Sequence, residues 1–213
     1  MPRPSRLPEL IAISDRQGLG EAIPVWARRL DRAGVPALLI REKDLDDRAL
    51  FELVCEVVAT VEQAQVLVSA RPDVALAAGA DGVHLSAAGL PTEAVVARFG
   101  AELLVGRSTH SVEEVATAGA EGADYVFFSP TWATPSKAGL GPPAGLDELA
   151  RSSRLGVAVL ALGGVTLERF ALAAAAGARG VAGIRLFRDG ESIETLVTRA
   201  RTTFSRPAWK GTE

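Results

Sequence analysis

Short apolar runs of four to six residues recur along the chain, separated by longer stretches in which apolar positions return at the three-and-four spacing of a helix. The short runs are rich in Val, Ile, Leu and Ala with little polar alternation, as expected of strands buried on both faces of a parallel sheet. Eight such runs fall at 10–14, 37–41, 65–70, 82–85, 103–108, 125–129, 158–163 and 180–184. Helical segments fill the gaps at 21–33, 46–62, 72–78, 92–99, 112–120, 146–152, 167–176 and 192–204. Strict alternation of this kind predicts an α/β fold, a single (β/α)8 TIM barrel over residues 1–213 with tails at 1–8 and 205–213.

Local chemistry agrees with these boundaries. Ser111-Val112-Glu113-Glu114 has the form of a capping box, and Thr166 precedes the seventh helix. A short repeat, Gly79-Ala80-Asp81-Gly82, Gly122-Ala123-Asp124-Tyr125 and Gly177-Ala178-Arg179-Gly180, stands before strands four, six and eight. Its first glycine reads each time as a left-handed helix stop. One long irregular stretch, 131–145, follows strand six, and loops of that length in a compact barrel usually serve function.

Composition narrows the partners. Among 213 residues there are 23 basic and 26 acidic ones, a net charge of −3, and no block of like charge suggests nucleic acid or an anionic membrane. The opening Met1-Pro2-Arg3-Pro4-Ser5-Arg6 lacks a signal-like apolar core, and no run reaches the roughly 18 apolar residues of a membrane span. The expected setting is cytoplasmic and the expected partner a small molecule, with a homodimer through exposed helices as a further expectation. The single Cys55 shares a helical stripe with Phe51, Val54 and Val58, so a packed core thiol is expected. No His, Cys or acidic pair has metal-ligand spacing, and no cofactor is expected.

In (β/α)8 enzymes the chemistry gathers at the C-terminal ends of the strands. Strand seven ends in Gly163-Gly164, whose backbone N–H groups can approach an anion; Gly183, Ile184 and Arg185 after strand eight supply a second half to such a cradle. The competing reading is a tight turn packed on a neighbour, and for Arg185 a simple surface cation. Arg41 and Lys43 after strand two, with Lys137 in the long loop, would converge on the barrel mouth as a positive pocket for an anionic substrate; otherwise they are ordinary surface cations. Ser108, Thr134 and Ser136 offer hydroxyl contacts there. His84, flanked by apolar neighbours, reads as a hydrogen-bonded structural histidine, whereas His110, just past strand five, suits either a general base or a capping role.

Taken in order, Ile40-Arg41-Glu42-Lys43, Gly82-Val83-His84-Leu85, Gly106-Arg107-Ser108-Thr109-His110-Ser111, Thr134-Pro135-Ser136-Lys137 and Ala161-Leu162-Gly163-Gly164-Val165 resemble the superfamily of thiamine phosphate synthase and TenI-type thiazole tautomerase. The resemblance runs from Ile11 to Phe187. It implies that Arg41, Lys43 and Lys137 face a diphosphate, that Ser108 and Thr134 face a phosphorylated thiazole, and that the strand-seven glycines hold its phosphate. The synthase of that superfamily joins a pyrimidine diphosphate to the thiazole phosphate with loss of diphosphate, helped by Mg²⁺. This chain departs from it. Leu39 replaces a glutamine, Ser69-Ala70-Arg71 replaces Asn-Asp-Arg, and Ser86-Ala87-Ala88-Gly89 lacks the second metal-binding aspartate. Those losses turn the expectation toward the TenI-like branch, a tautomerase that isomerises a thiazole phosphate by proton transfer. The tautomerase histidine after strand six aligns with Pro130, which leaves His110 as the candidate base. The synthase, with its Mg²⁺, is the alternative enzyme, and a non-catalytic sensor or carrier of a thiamine intermediate is the third reading.

Overall fold

The computed structural model describes residues 7–133, 143–188 and 192–204. Strands β1 (Leu10–Ile13), β2 (Ala37–Ile40), β3 (Gln65–Ser69), β4 (Gly82–Leu85), β5 (Leu104–Thr109), β6 (Tyr125–Phe128), β7 (Ala158–Ala161) and β8 (Gly180–Gly183) pair in sequence order. Every pairing is parallel, and β8 returns to β1, with Leu10 opposite Val181, so the sheet closes into a barrel. The helices among the described residues are α1 (Arg16–Leu19), α2 (Ile23–Arg32), α3 (Asp47–Thr60), α4 (Pro72–Ala77), α5 (Thr92–Phe99), α6 (Val112–Ala120), α7 (Gly145–Ser152), α8 (Phe170–Ala175) and α9 (Ile193–Phe204). The predicted (β/α)8 barrel is the observed one, with α1 as an extra turn after β1.

The double burial of the strands resolves into two cores. Residues such as Leu38, Ile40, Val66, Val83, Val105, Val126 and Val159 point outward and pack under the helices. Their alternates Ile11, Ile13, Leu39, Leu67, Tyr125, Phe127, Leu160 and Ala182 fill the interior. Helix α3 presents Leu50, Val54 and Val57 to the outer core. Cys55 therefore lies half-buried on its flank, and Phe51 is 37% exposed, so the inward stripe is rotated from the one the sequence suggests.

The glycine of the short repeat does stop each helix, at φ 73° for Gly79, 87° for Gly122 and 91° for Gly177. The aspartate has a separate task. Asp81 Oδ2 accepts from Val66 N at 2.8 Å and Asp124 Oδ2 from Val105 N at 2.7 Å, tying the start of one strand to its predecessor. In the third copy Arg179 keeps only the backbone half of the device, donating from N to Val159 O at 2.8 Å. Ser111 caps α6 as expected, through Glu114 N, whereas Thr166 makes no side-chain cap and its segment opens with a 3₁₀ turn, Leu167–Arg169.

Candidate active site at the barrel mouth

Four strands deliver the described candidate residues to the C-terminal rim. Arg41 and Lys43 leave β2, Ser108 lies one residue before the end of β5 with His110 just beyond, Gly163 and Gly164 follow β7, and Gly183 to Arg185 pass from β8 into a 3₁₀ turn, Arg185–Phe187. Lys137, Thr134 and Ser136 lie outside the described residues.

The β2 end is built around a buried carboxylate that the sequence motif contained but did not explain. Glu42 is 6% exposed and accepts from Ser14 Oγ at 2.5 Å and from Arg16 N at 3.2 Å. Ser14 Oγ in turn accepts from Arg41 N at 2.9 Å, locking the β1 and β2 ends together. Because Glu42 is turned toward Ser14 and Arg16, it does not neutralise Arg41. Arg41 is half-buried and, among the described residues, no carboxylate pairs with it, whereas Arg16, Arg29, Arg71, Arg151 and Arg188 all have acidic partners. Lys43 is exposed beside it, also without a described acidic partner.

The β7 turn has the geometry of a backbone anion site. Gly163 and Gly164 both lie in the left-handed region, at φ 88° and 67°. A Cβ on Gly163 would come within 2.9 Å of Pro130 Cα, and one on Gly164 within 2.7 Å of Ala133 O, so glycine is required by packing as well as by φ. Three successive carbonyls are already held. Leu162 O accepts from Thr131 N at 2.9 Å, Gly163 O from Trp132 N at 3.1 Å, and Gly164 O from the Arg169 guanidinium, which also lies over the Trp132 ring. In a trans peptide the N–H points opposite to the C=O. The N–H groups of Gly163 and Gly164 are therefore directed away from the β6 loop, and that of Val165 away from the Arg169 guanidinium. The tight turn packed on a neighbour is the observed arrangement, and the packing of its carbonyls sets the direction of the N–H groups. On β8, Ile184 packs against the interior cluster and Arg185 is exposed.

Between these two halves the interior carries a polar group. His84 is 3% exposed, with Nδ1 3.2 Å from Tyr125 Oη, Nε2 2.9 Å from Ser108 Oγ, and its ring stacked on Phe127 at 4.0 Å. Burial lowers its pKa to about 3, and the charges of Arg107 and Arg41 act in the same direction. His84 is thus a neutral structural histidine, as its setting in the sequence suggests. Tyr125 gave no functional signal in the sequence; the trace that existed was Gly106, where a Cβ would stand 2.2 Å from the Tyr125 ring. His110 is exposed, and its Nδ1 lies 2.6 Å from Ser129 O. A carbonyl only accepts, so Nδ1 carries the proton and, in the neutral ring, Nε2 carries the lone pair.

The donor set does not suit a magnesium ion, which asks for carboxylate and other oxygen ligands. Ala70 and Ser86-Ala87-Ala88-Gly89 present no carboxylate at the β3 and β4 ends. Asp73 and Asp47 are bound by Arg71, and Arg107 pins the β4 loop through Ala87 O at 2.9 Å and Leu90 O at 2.5 Å. Among the described residues no three His, Cys, Asp or Glu side chains cluster as metal ligands, and no helix is long and apolar enough to cross a membrane.

Known proteins are similar to this chain in sequence and in fold. The chain is 40% identical over 189 residues to a thiamine-phosphate synthase of Anaeromyxobacter dehalogenans, covering 87% of this chain and 85% of that protein. It is 38% identical to the thiamine-phosphate synthase of Methanoculleus marisnigri, over 90% and 92% of the two chains. The thiamine phosphate pyrophosphorylase structure from Pyrococcus furiosus superposes with a TM-score of 0.81 at 26% identity, covering 92% and 97%. The family model described as thiamine monophosphate synthase matches residues 10–187, the whole barrel from β1 to the turn after β8, and the chain belongs to that family.

Proposed function

We propose that this chain is a transferase of thiamine biosynthesis that couples a pyrimidine diphosphate to a thiazole phosphate with loss of diphosphate. The observation that carries the phosphate half is the row of N–H groups at Gly163, Gly164 and Val165, freed by the tethering of three carbonyls. With Gly183 at the end of β8 and Ile184 and Arg185 just after it, this rim takes the thiazole phosphate, and Ser108 and Thr134 contact the heterocycle. Arg41, Lys43 and Lys137 face the diphosphate, whose departing charge needs fixed cations in a partly dry site. The named relatives turn the choice of reaction from the tautomerase suggested by the missing aspartates to the synthase. Mg²⁺ goes with that reaction in general, but the side chains at the β3 and β4 ends do not fit it, so the leaving-group role is assigned here to the cations alone.

Purified protein given both substrates is expected to form thiamine phosphate and release an equal amount of diphosphate. No coupled product, with and without Mg²⁺, would remove the synthase assignment. A second reading stays in view on one observation, the absence of carboxylates at Ala70 and 86–89. It is a TenI-like isomerase that moves a proton on a carboxythiazole phosphate, with His110 Nε2 as base. Isomerisation that persists in His110→Gln would discard that base.

A further inference from the structure

We infer that Tyr125 and His84 form a relay that fixes the Ser108 hydroxyl as a hydrogen-bond donor aimed into the barrel mouth, which makes both of them positioning residues for an acceptor atom on the bound ligand. The argument begins at the buried end. Tyr125 is 0% exposed, and among the described residues its hydroxyl has one hydrogen-bond partner, His84 Nδ1 at 3.2 Å. A buried phenol has to place its proton on an acceptor, so Tyr125 donates and Nδ1 receives. The neutral imidazole has a single N–H, which must then sit on Nε2 and donate to Ser108 Oγ at 2.9 Å. Ser108 accepts from inside the barrel, and its own proton is left for an acceptor on the ligand side. The reverse orientation would leave the Tyr125 hydroxyl proton buried with no acceptor.

The surroundings hold this state. Phe127 stacks on the imidazole at 4.0 Å and fixes its plane, and Gly106 leaves the space in which the Tyr125 ring lies. A doubly protonated ring would turn a donor on Tyr125, and Arg107 and Arg41 both oppose it. Specificity follows, because a fixed donor donates to a phosphate oxygen or a heteroaromatic lone pair and disfavours a ligand N–H at the same point.

That Ser108 meets the thiazole phosphate rests on the proposed function; the relay itself does not, and the test separates the two. Ring ¹⁵N spectra at pH 7 of protein with labelled histidine contain only two rings, His84 and His110. The relay gives a neutral His84 protonated on Nε2, with the Nδ1 resonance displaced when Tyr125→Phe removes its donor. A proton on Nδ1, a doubly protonated ring, or an Nδ1 signal indifferent to Tyr125→Phe overturns the relay; should that variant not fold, the tautomer of the unaltered protein still decides. Calorimetric titration with thiazole phosphate then reads the consequence. Ser108→Ala should weaken binding about tenfold, Tyr125→Phe by a smaller factor, and the double variant no further than Ser108→Ala alone. Independent, multiplying losses would show that Tyr125 does not act through Ser108. No binding by the unaltered protein, with the expected tautomer present, would remove the thiazole phosphate reading and leave the relay standing.

Discussion

Ala70 carries an αL backbone, at φ 63°, the one described non-glycine residue with positive φ. An L-residue with a Cβ loses roughly 1–2 kcal/mol there, and glycine, asparagine and aspartate are the residues that tolerate it best. The position therefore has a backbone that suits glycine, asparagine or aspartate better than the alanine it carries. Ala70→Gly is expected to raise stability by about 0.5–1 kcal/mol after the extra unfolded-state freedom of glycine is subtracted, measured by urea denaturation; a lower midpoint would mean the turn is not strained. Arg41 is half-buried at the barrel mouth and without a described acidic partner. Arg41→Ala should lower kcat/KM for the coupling roughly 10- to 100-fold, the range set by about 1.5–3 kcal/mol for a charge-assisted contact, with little change in thermal midpoint. Unchanged kinetics would place its guanidinium outside the diphosphate site. The charge of Arg41 and the left-handed turn at Gly163-Gly164 are legible in the sequence because charge and φ freedom are properties of single residues. The Ser14–Glu42 and His84–Tyr125 pairs are not, since each depends on which residues of different strands face each other.

At the level of elements, the Gly-Ala-Asp repeat shows how far a motif can be read without coordinates. Its glycine stop follows from the chain turning from helix to strand, so the sequence contained it. The aspartate's partner sits on the preceding strand, at Val66 N for Asp81 and Val105 N for Asp124, a relation fixed only by sheet register. Burial raises the Asp81 pKa and the bond to Val66 N opposes that rise, so the carboxylate is retained at a cost in hydration. Asp81→Ala leaves the Val66 N–H without its acceptor and is expected to cost about 1–3 kcal/mol; Asp81→Asn keeps an acceptor oxygen and should recover at least half of that. Equal losses in the two variants, by chemical denaturation, would show that packing rather than the hydrogen bond holds the β3 start. The α3 stripe differs from the sequence expectation for a related reason. Phe51 and Cys55 lie within helical spacing of Val54 and Val58, but the rotation of the helix against β2 and β3 selects Leu50, Val54 and Val57.

Across the whole molecule, the alternation of apolar runs and helical segments was enough for the barrel, because a parallel sheet with one helix after each strand and no spare strand has few ways to close. What that pattern could not convey is that the interior is not wholly apolar. His84 sits among Tyr125, Phe127 and neighbouring interior side chains, and its pKa of about 3 reflects burial first, then the charges of Arg107 and Arg41. The unfolded chain titrates that ring near 6.5. Between these values the unfolded state binds a proton that the folded state refuses, so stability is full above pH 6.5 and falls as the pH is lowered toward 3. The contribution of one such ring is about 1.4 kcal/mol per pH unit well inside that window. Unfolding free energies from denaturation curves collected between pH 6.5 and 5, above the range where most carboxylates protonate, should therefore drop steadily, by about 1–2 kcal/mol in total. His84→Gln lowers stability at every pH but removes the titrating group, so its profile should be flatter than that of the unaltered protein over the same interval. Two parallel profiles would mean that the folded barrel lets His84 take up a proton, and that its interior does not hold the ring neutral.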